Sequence, residues 1–146
     1  MGSCPLGKSS MSEIVAFDTN VLLYAVDRHE PGKRDRALDL IARSDGAVML
    51  WQVAIEFIAA SRKLAARGMT PQEAWDQLRF YLAAMPLILP ASTVLDRAKD
   101  MHLKRQMSFW DALVIAAAAD AGATRLYSED LPGAGVEGLQ VINPFK

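Results

Sequence analysis

The chain has 146 residues, of which 51% are hydrophobic and 23% are charged, and its formal net charge is −1. This composition excludes a disordered chain, and the near-neutral charge excludes a global positive field that would attract a polyanion. The single cysteine, Cys4, excludes an internal disulfide, and no apolar run is long enough to span a bilayer. We therefore expect a soluble cytoplasmic protein in which residues 13–146 form one domain.

Residues 1–12 are small and polar, so we expect them to be a disordered leader. They contain the pattern G-x-x-x-x-G-K-[ST] between Gly2 and Ser9, which is typical of a phosphate-binding loop. Such a loop needs a strand before it and a helix after it. Neither is expected around these residues, so we do not assign a nucleotide site here.

The first structured stretch couples a strand to a helix. Residues 14–17 are apolar and stop at Asp18, after which Thr19 and Asn20, both good N-cap residues, begin a second apolar run at 21–26. Ligands of open α/β sheets bind outside the carboxyl ends of the strands, so Asp18 stands where chemistry is expected. The alternative is that Asp18 only ends the strand and caps the helix.

Four further apolar runs predict strands at residues 47–50, 87–89, 125–127 and 139–142. Between these strands, apolar residues recur at the spacing of a helix. Short strands that alternate with helices indicate a parallel sheet covered on both faces. The predicted fold is α/β, a three-layer sandwich with a five-stranded parallel sheet flanked by helices.

Two helices carry specific expectations. Residues 51–67 are predicted to form one helix that ends at Gly68, and the helix at 109–121 is so uniformly apolar that it should lie deep in the core. On three other helices, the spacing predicts buried positions for Leu38, Trp75 and Leu95.

Four carboxylates interrupt or adjoin apolar sequence: Asp18, Glu56, Asp111 and Asp130. A buried carboxylate without a partner is costly, and it normally protonates or finds one. Two of the aspartates have ordinary alternatives, Asp111 as a helix-capping residue and Asp130 as a turn residue, whereas Glu56 would need a nearby base. Because three of the four follow strands whose ends should share one edge of the sheet, we expect the carboxylates to converge.

Converging carboxylates repel one another unless cations lie between them. Oxygen ligands without cysteine or histidine suit Mg²⁺ or Mn²⁺, whereas zinc prefers nitrogen or sulfur ligands. His29 and His102 stand alone in the sequence, and we assign them to a loop and to the edge of a helix face. Cations held by carboxylates activate water and stabilise charge on phosphate oxygens, which predicts phosphodiester hydrolysis.

At these acids the chain resembles the PIN-domain ribonucleases, and most closely the VapC-type toxins of bacterial toxin–antitoxin pairs. The likeness extends over nearly all of residues 14–145. It rests on the stretches FDTNVLLYA at 17–25, QVAIEF at 52–57, SFWDALVIAAA at 108–118, YSEDL at 127–131 and VINPF at 141–145.

The resemblance implies that the four acids are both catalytic and metal-binding, and that Asn20 and Ser128 support them. It also implies the sheet order 3-2-1-4-5, an RNA substrate, a homodimer, and an antitoxin whose C-terminal segment covers the active site. The resemblance assigns no role to Glu129, which stands beside the fourth acid.

The basic residues are compatible with RNA. Lys33, Arg34 and Arg36 are expected to face outward from the second helix, and Lys104 and Arg105 shortly precede Asp111. Phosphate contacts require clustered cations, so these five residues are candidate RNA contacts as well as ordinary solvated ones.

Two other functions stay open at this point. One is a PIN-like module that binds RNA or protein without cutting, against which the complete set of four acids argues. The other is a different Mg²⁺-dependent α/β phosphotransfer protein with Asp18 as phosphoacceptor. Phosphatases of that kind usually carry a second aspartate two residues on, where this chain has Asn20.

Overall fold

The computed structural model describes residues 13–131 and 136–146. The leader with its phosphate-loop pattern lies outside these ranges, as do residues 132–135 of the loop before the last strand. The strands are β1 (Ile14–Phe17), β2 (Ala47–Leu50), β3 (Leu87–Ile88), β4 (Ala123–Tyr127) and β5 (Gln140–Ile142). The helices are α1 (Thr19–Tyr24), α2 (Pro31–Arg43), α3 (Trp51–Ser61), α4 (Pro71–Ala84), α5 (Ser92–Lys104) and α6 (Phe109–Asp120).

The five strands form one parallel sheet in the order β3-β2-β1-β4-β5. This confirms the predicted α/β class, the three-layer arrangement and the strand order. The central strand β1 pairs with β2 through Val15 and Ala47, and with β4 through Phe17 and Tyr127. The first β-α unit thus occupies the middle of the sheet, and its carboxyl end is flanked on both sides.

The core lies between the sheet and its helices, as expected for strands that are covered on both faces. Among its completely buried large side chains are Phe17, Leu22, Phe57 and Ile115. Helix α6 reaches the core with its central residues, of which Ala112, Val114, Ile115, Ala116 and Ala118 are buried, whereas Phe109 and Trp110 at its start are exposed. Among the described residues, none of the helices has the length and apolar character required to cross a membrane.

The predicted continuous helix at 51–67 is wrong in its second half. Helix α3 stops at Ser61, and residues Arg62–Arg67 form a tighter 3-10 helix. The Ser61 hydroxyl donates a hydrogen bond to the carbonyl of Ile58 at 2.7 Å, a local bond that competes with regular helical pairing. Gly68 ends the segment as predicted, in a left-handed conformation with φ of 98°.

Three residues predicted to be buried are exposed: Leu38 at 46%, Trp75 at 57% and Leu95 at 60%. Each follows or precedes a buried residue on its helix, and that residue, such as Ala37 or Ala74, occupies the contact with the core. Successive helical residues are about 100° apart, so a narrow contact stripe accommodates only one of two neighbours. The helical pattern was right, but the buried stripe is narrower than predicted.

Gly46, just before β2, packs closely against the backbone at the start of β1, and its substitution tests this contact. A Cβ atom at this position would lie 2.0 Å from the backbone oxygen of Glu13, whereas a Cβ atom at Gly32 would meet nothing within 4 Å. We expect Gly46→Ala to lower the free energy of unfolding by about 2–3 kcal/mol because the backbone must shift. As the matched control, Gly32→Ala in helix α2 should raise it by about 0.5 kcal/mol. Urea denaturation followed by circular dichroism measures both, and equal stabilities would contradict the clash.

Candidate active site

Asp18 follows β1 directly and caps helix α1. Its Oδ1 accepts a hydrogen bond from the backbone N–H of Thr19 at 2.8 Å, and its Oδ2 accepts one from the Ser128 hydroxyl at 2.7 Å. The Asp18 backbone N–H donates to the carbonyl of Tyr127 at 2.9 Å, which continues the β1–β4 pairing by one residue. Asp18 therefore caps helix α1 through one carboxylate oxygen. Its other oxygen is held by Ser128, the residue that follows β4.

Glu56 projects from α3, the helix that follows β2, and is half-buried. Its Oε1 accepts a hydrogen bond from the Thr19 hydroxyl at 3.2 Å and a longer one from the Gln52 amide at 3.4 Å. Thr19 therefore links the first two acids, with its N–H on Asp18 and its hydroxyl on Glu56. The sequence predicts Thr19 only as a cap residue and gives no signal for Gln52, because both contacts with Glu56 depend on the fold.

Asp111 and Asp130 complete the set. Asp111 stands in the first turn of α6, where its backbone N–H donates to the side chain of the N-cap residue Ser108 at 3.2 Å. Asp130 follows β4, is exposed, and accepts a hydrogen bond from the Asn20 amide at 3.1 Å. Ser108 therefore caps the helix, and the charge of the Asp111 carboxylate acts on Asp18 and Glu56.

Ser128 joins these groups. It is 1% exposed. Its hydroxyl donates to Asp18, and its oxygen accepts from the backbone N–H groups of Asp130 at 3.2 Å and Leu131 at 3.3 Å. The Asn20 amide also approaches this oxygen at 3.4 Å. The two residues that the resemblance assigned to support of the acids thus contact two of them directly.

The charges of these acids act on two members of the set, Asp18 and Glu56. Burial raises the pKa of Asp18, and the charges of Asp130 and Asp111 raise it further, against hydrogen bonds from Ser128 and Thr19 that lower it. Burial also raises the pKa of Glu56, with added contributions from the charges of Asp18 and Asp111. The fold therefore gathers negative charge at this edge at a cost to its own stability.

Comparison with known proteins identifies the family of this chain. The family model of the PIN domain matches residues 15–131. The chain belongs to the PIN-domain family. A comparison with curated proteins gives no match.

Solved structures resemble this PIN domain over most of its length. A toxin–antitoxin complex from Klebsiella pneumoniae has a TM-score of 0.64 at 20% identity, covering 89% of this chain and 97% of that one. VapBC2 from Rickettsia felis, bound to a DNA fragment from its promoter, has a TM-score of 0.62 at 16% identity, covering 89% and 99%. VapBC-1 from nontypeable Haemophilus influenzae has a TM-score of 0.62 at 15% identity, covering 91% and 99%. These likenesses establish the fold.

The donor chemistry of the PIN-domain site fits a hard divalent cation. All four groups are carboxylates, the ligands that Mg²⁺ and Mn²⁺ prefer, and their mutual repulsion is what a cation would relieve. Within residues 13–131 and 136–146, no group of three or more histidine, cysteine or acidic side chains is already arranged to hold a metal ion. The acids thus interact through their charges without forming a ready-made cage.

The basic residues do not form one exposed patch. Lys33 and Arg34 are partly exposed, with 37% and 38% of their side-chain surface accessible. Lys33 forms an ion pair with Glu129, and the Arg36 Nε donates to the carbonyl of Pro144 at 2.6 Å. At the end of α5, Lys104 and Arg105 are exposed.

The repulsion predicts how neutral variants behave. When a carboxyl group has a higher pKa in the folded than in the unfolded state, the free energy of unfolding falls as the pH rises through the folded-state pKa. At neutral pH the charge of Asp18 therefore destabilises the folded protein. We expect Asp18→Asn and Asp111→Asn to unfold in chelator with a free energy equal to or higher than that of the parent. Saturating Mn²⁺, at about 100 times its Kd, should stabilise the parent by about 2.7 kcal/mol and the variants by much less.

Thermal denaturation with and without Mn²⁺ makes this measurement. The matched control is Asp96→Asn, which neutralises an exposed acid on α5 and should keep the full Mn²⁺ response. An equal gain from Mn²⁺ in Asp18→Asn and the parent would mean that the metal binds elsewhere.

Ser128→Ala tests the junction between Asp18 and the β4 loop. Removing the hydroxyl leaves two backbone N–H donors and one carboxylate oxygen without their partner, which should lower the free energy of unfolding by about 1–3 kcal/mol. Ser92→Ala, at an exposed position in the first turn of α5, should change it by less than about 0.5 kcal/mol. Chemical denaturation measures both free energies of unfolding. Equal losses in the two variants would refute the role of Ser128 as the junction between Asp18 and the β4 loop.

Proposed function

We propose that this PIN domain is a metal-dependent ribonuclease that hydrolyses RNA phosphodiester bonds. One observation carries the proposal. The acids Asp18, Glu56, Asp111 and Asp130 come from separate parts of the chain, yet they act on one another: the charges of Asp130 and Asp111 raise the pKa of Asp18, and those of Asp18 and Asp111 raise the pKa of Glu56. Perturbed acids that a fold gathers against their own repulsion are typical of a functional site.

In this proposal the same four residues hold Mg²⁺ or Mn²⁺. When bound, the cation supplies an activated water and neutralises charge on the phosphate oxygens during in-line displacement. The chain's own part is to fix the acids. Thr19 and Ser128 restrain the two oxygens of Asp18, and Asn20 orients Asp130. Such partners behind metal ligands preserve the ligand geometry that the reaction needs.

Two features support a partner protein. The structures that resemble this chain include one described as a toxin–antitoxin complex and two VapBC proteins. Large apolar side chains are exposed on the two helices that carry Glu56 and Asp111, namely Trp51 and Ile55 on α3 and Trp110 on α6. Exposed apolar surface of this kind marks interaction sites. We propose that the chain is the toxin of a toxin–antitoxin pair and that it works as a homodimer.

For the RNA itself, Lys104 and Arg105 are the proposed phosphate contacts, since both are exposed at the end of the helix that precedes Asp111. A phosphoacceptor role for Asp18 has less support. Phosphatases of that kind usually carry a second aspartate two residues on, and this chain has Asn20 at that position.

Cleavage of end-labelled RNA by the purified full chain tests the function. We expect cutting with Mg²⁺ or Mn²⁺, none with chelator, and a loss of at least about a thousandfold in the Asp18→Asn/Asp111→Asn double variant, because such carboxylates supply several kcal/mol of transition-state stabilisation. The control is Asp96→Asn purified in the same way.

The outcomes separate the alternatives. Equal cutting by the double variant would assign the activity to a contaminant. RNA binding without cutting by a protein that also binds no Mn²⁺ would establish the non-catalytic module instead. Phosphorylation of Asp18 by a small phosphodonor would establish the phosphotransfer protein.

A further inference from the structure

Glu129 is a fifth acid beside the site, and its carboxylate is directed toward α2. It stands between Ser128 and Asp130 in the chain. Its Oε1 accepts a hydrogen bond from the Tyr24 hydroxyl at 2.6 Å, and its Oε2 accepts one from the Lys33 ammonium at 2.5 Å. Lys33 also donates to the Tyr24 hydroxyl at 3.2 Å. The three polar groups thus satisfy one another in a closed set.

Two aromatic rings, in addition to Glu129, position the Lys33 ammonium. The Lys33 Nζ lies 4.7 Å from the centroid of the Tyr24 ring and 5.8 Å from that of Phe145. These two rings meet edge to face with centroids 5.0 Å apart. Aromatic faces attract cations, so the rings hold the ammonium where it meets Glu129. An exposed ion pair is worth little, but one whose lysine is held in this way restrains its partner.

The backbone of Glu129 connects this ion pair to the acids. Its N–H donates to the Asn20 Oδ1 at 3.3 Å, and the same Asn20 donates from its Nδ2 to Asp130 at 3.1 Å. On the other side, the carbonyl of Glu129 accepts from the Asn143 amide at 3.4 Å. A displacement of Glu129 therefore pulls on Asn20 and moves Asp130.

We propose that Lys33 is a positioning residue for the acid cluster, which fixes Asp130 by clamping Glu129. The proposal rests on the proposed metal-dependent function. It gives Lys33 a different role from the RNA contact expected from the sequence. Removal of the ammonium leaves Glu129 and Tyr24 without their cation, so the short loop from Ser128 to Asp130 loses one of its attachments.

The variant that tests the clamp is Lys33→Met, which retains an unbranched apolar side chain against the two rings. Titration calorimetry of the full chain with Mn²⁺ and no RNA should show a Kd raised about tenfold, the low end of what partners behind metal ligands contribute. Lys33→Arg, which can still pair with Glu129, should restore most of the affinity. Lys99→Met removes the same charge from an exposed position on α5 and should leave the Kd unchanged.

A double-variant cycle shows whether Lys33 acts through Glu129. We expect Glu129→Gln to weaken Mn²⁺ binding as Lys33→Met does, and the combined variant to be no weaker than either, because groups that act as one unit are not additive. Additive losses would overturn the clamp. Unchanged or tighter Mn²⁺ binding in Lys33→Met would also overturn it, and weaker RNA binding in that variant would then make Lys33 an RNA contact.

Amide hydrogen exchange supplies a measurement that needs no metal. The backbone N–H groups of Asp130 and Leu131, which donate to Ser128, should exchange faster in Lys33→Met than in the parent. Unchanged exchange would overturn the clamp. If the parent binds no Mn²⁺, the proposed nuclease fails, and the exchange rates still decide the role of Lys33.

Discussion

The acidic edge depends on the parallel pairing of β1 with β4. The register that sets Phe17 beside Tyr127 continues one residue further, where the Asp18 N–H meets the carbonyl of Tyr127. Asp18 therefore arrives beside Ser128, and the bend of the chain after β4 brings Asp130 next to Asn20. A slip of this register would separate the two aspartates, so the backbone ladder, more than any side chain, defines the site.

The acids of the candidate site destabilise the folded protein locally, and the rest of the protein compensates for this. Asp18 and Glu56 are partly buried close to other acids, and both burial and charge work against their ionised forms. The hydrogen bonds from Thr19, Ser128 and Gln52 offset part of that cost, and the apolar sheet and helices supply the remaining stability. A sequence optimised for folding alone would not place these acids together.

The sequence predicts the elements of the fold and singles out the four candidate acids because their patterns are local. A strand that stops at Asp18 and a uniformly apolar helix around Ile115 are visible within a few residues. It missed what depends on distant contacts. The Thr19 hydroxyl reaches Glu56, which is 37 positions away, and Lys33 reaches Glu129, which is 96 positions away, so no spacing rule reveals either pair. The same limit explains Leu38 and Trp75, whose exposure depends on how wide a stripe the neighbouring elements cover.

The two outer strands constrain how any protein can associate with the sheet. On one side β3 has two residues, and on the other β5 has three. An incoming strand would gain very few backbone hydrogen bonds from such short edges, which is a common defence against sheet extension and aggregation. Contacts through side chains are therefore favoured over the addition of a strand. A substitution on an exposed helical face changes such a contact surface and leaves the pairing of the five strands as it is.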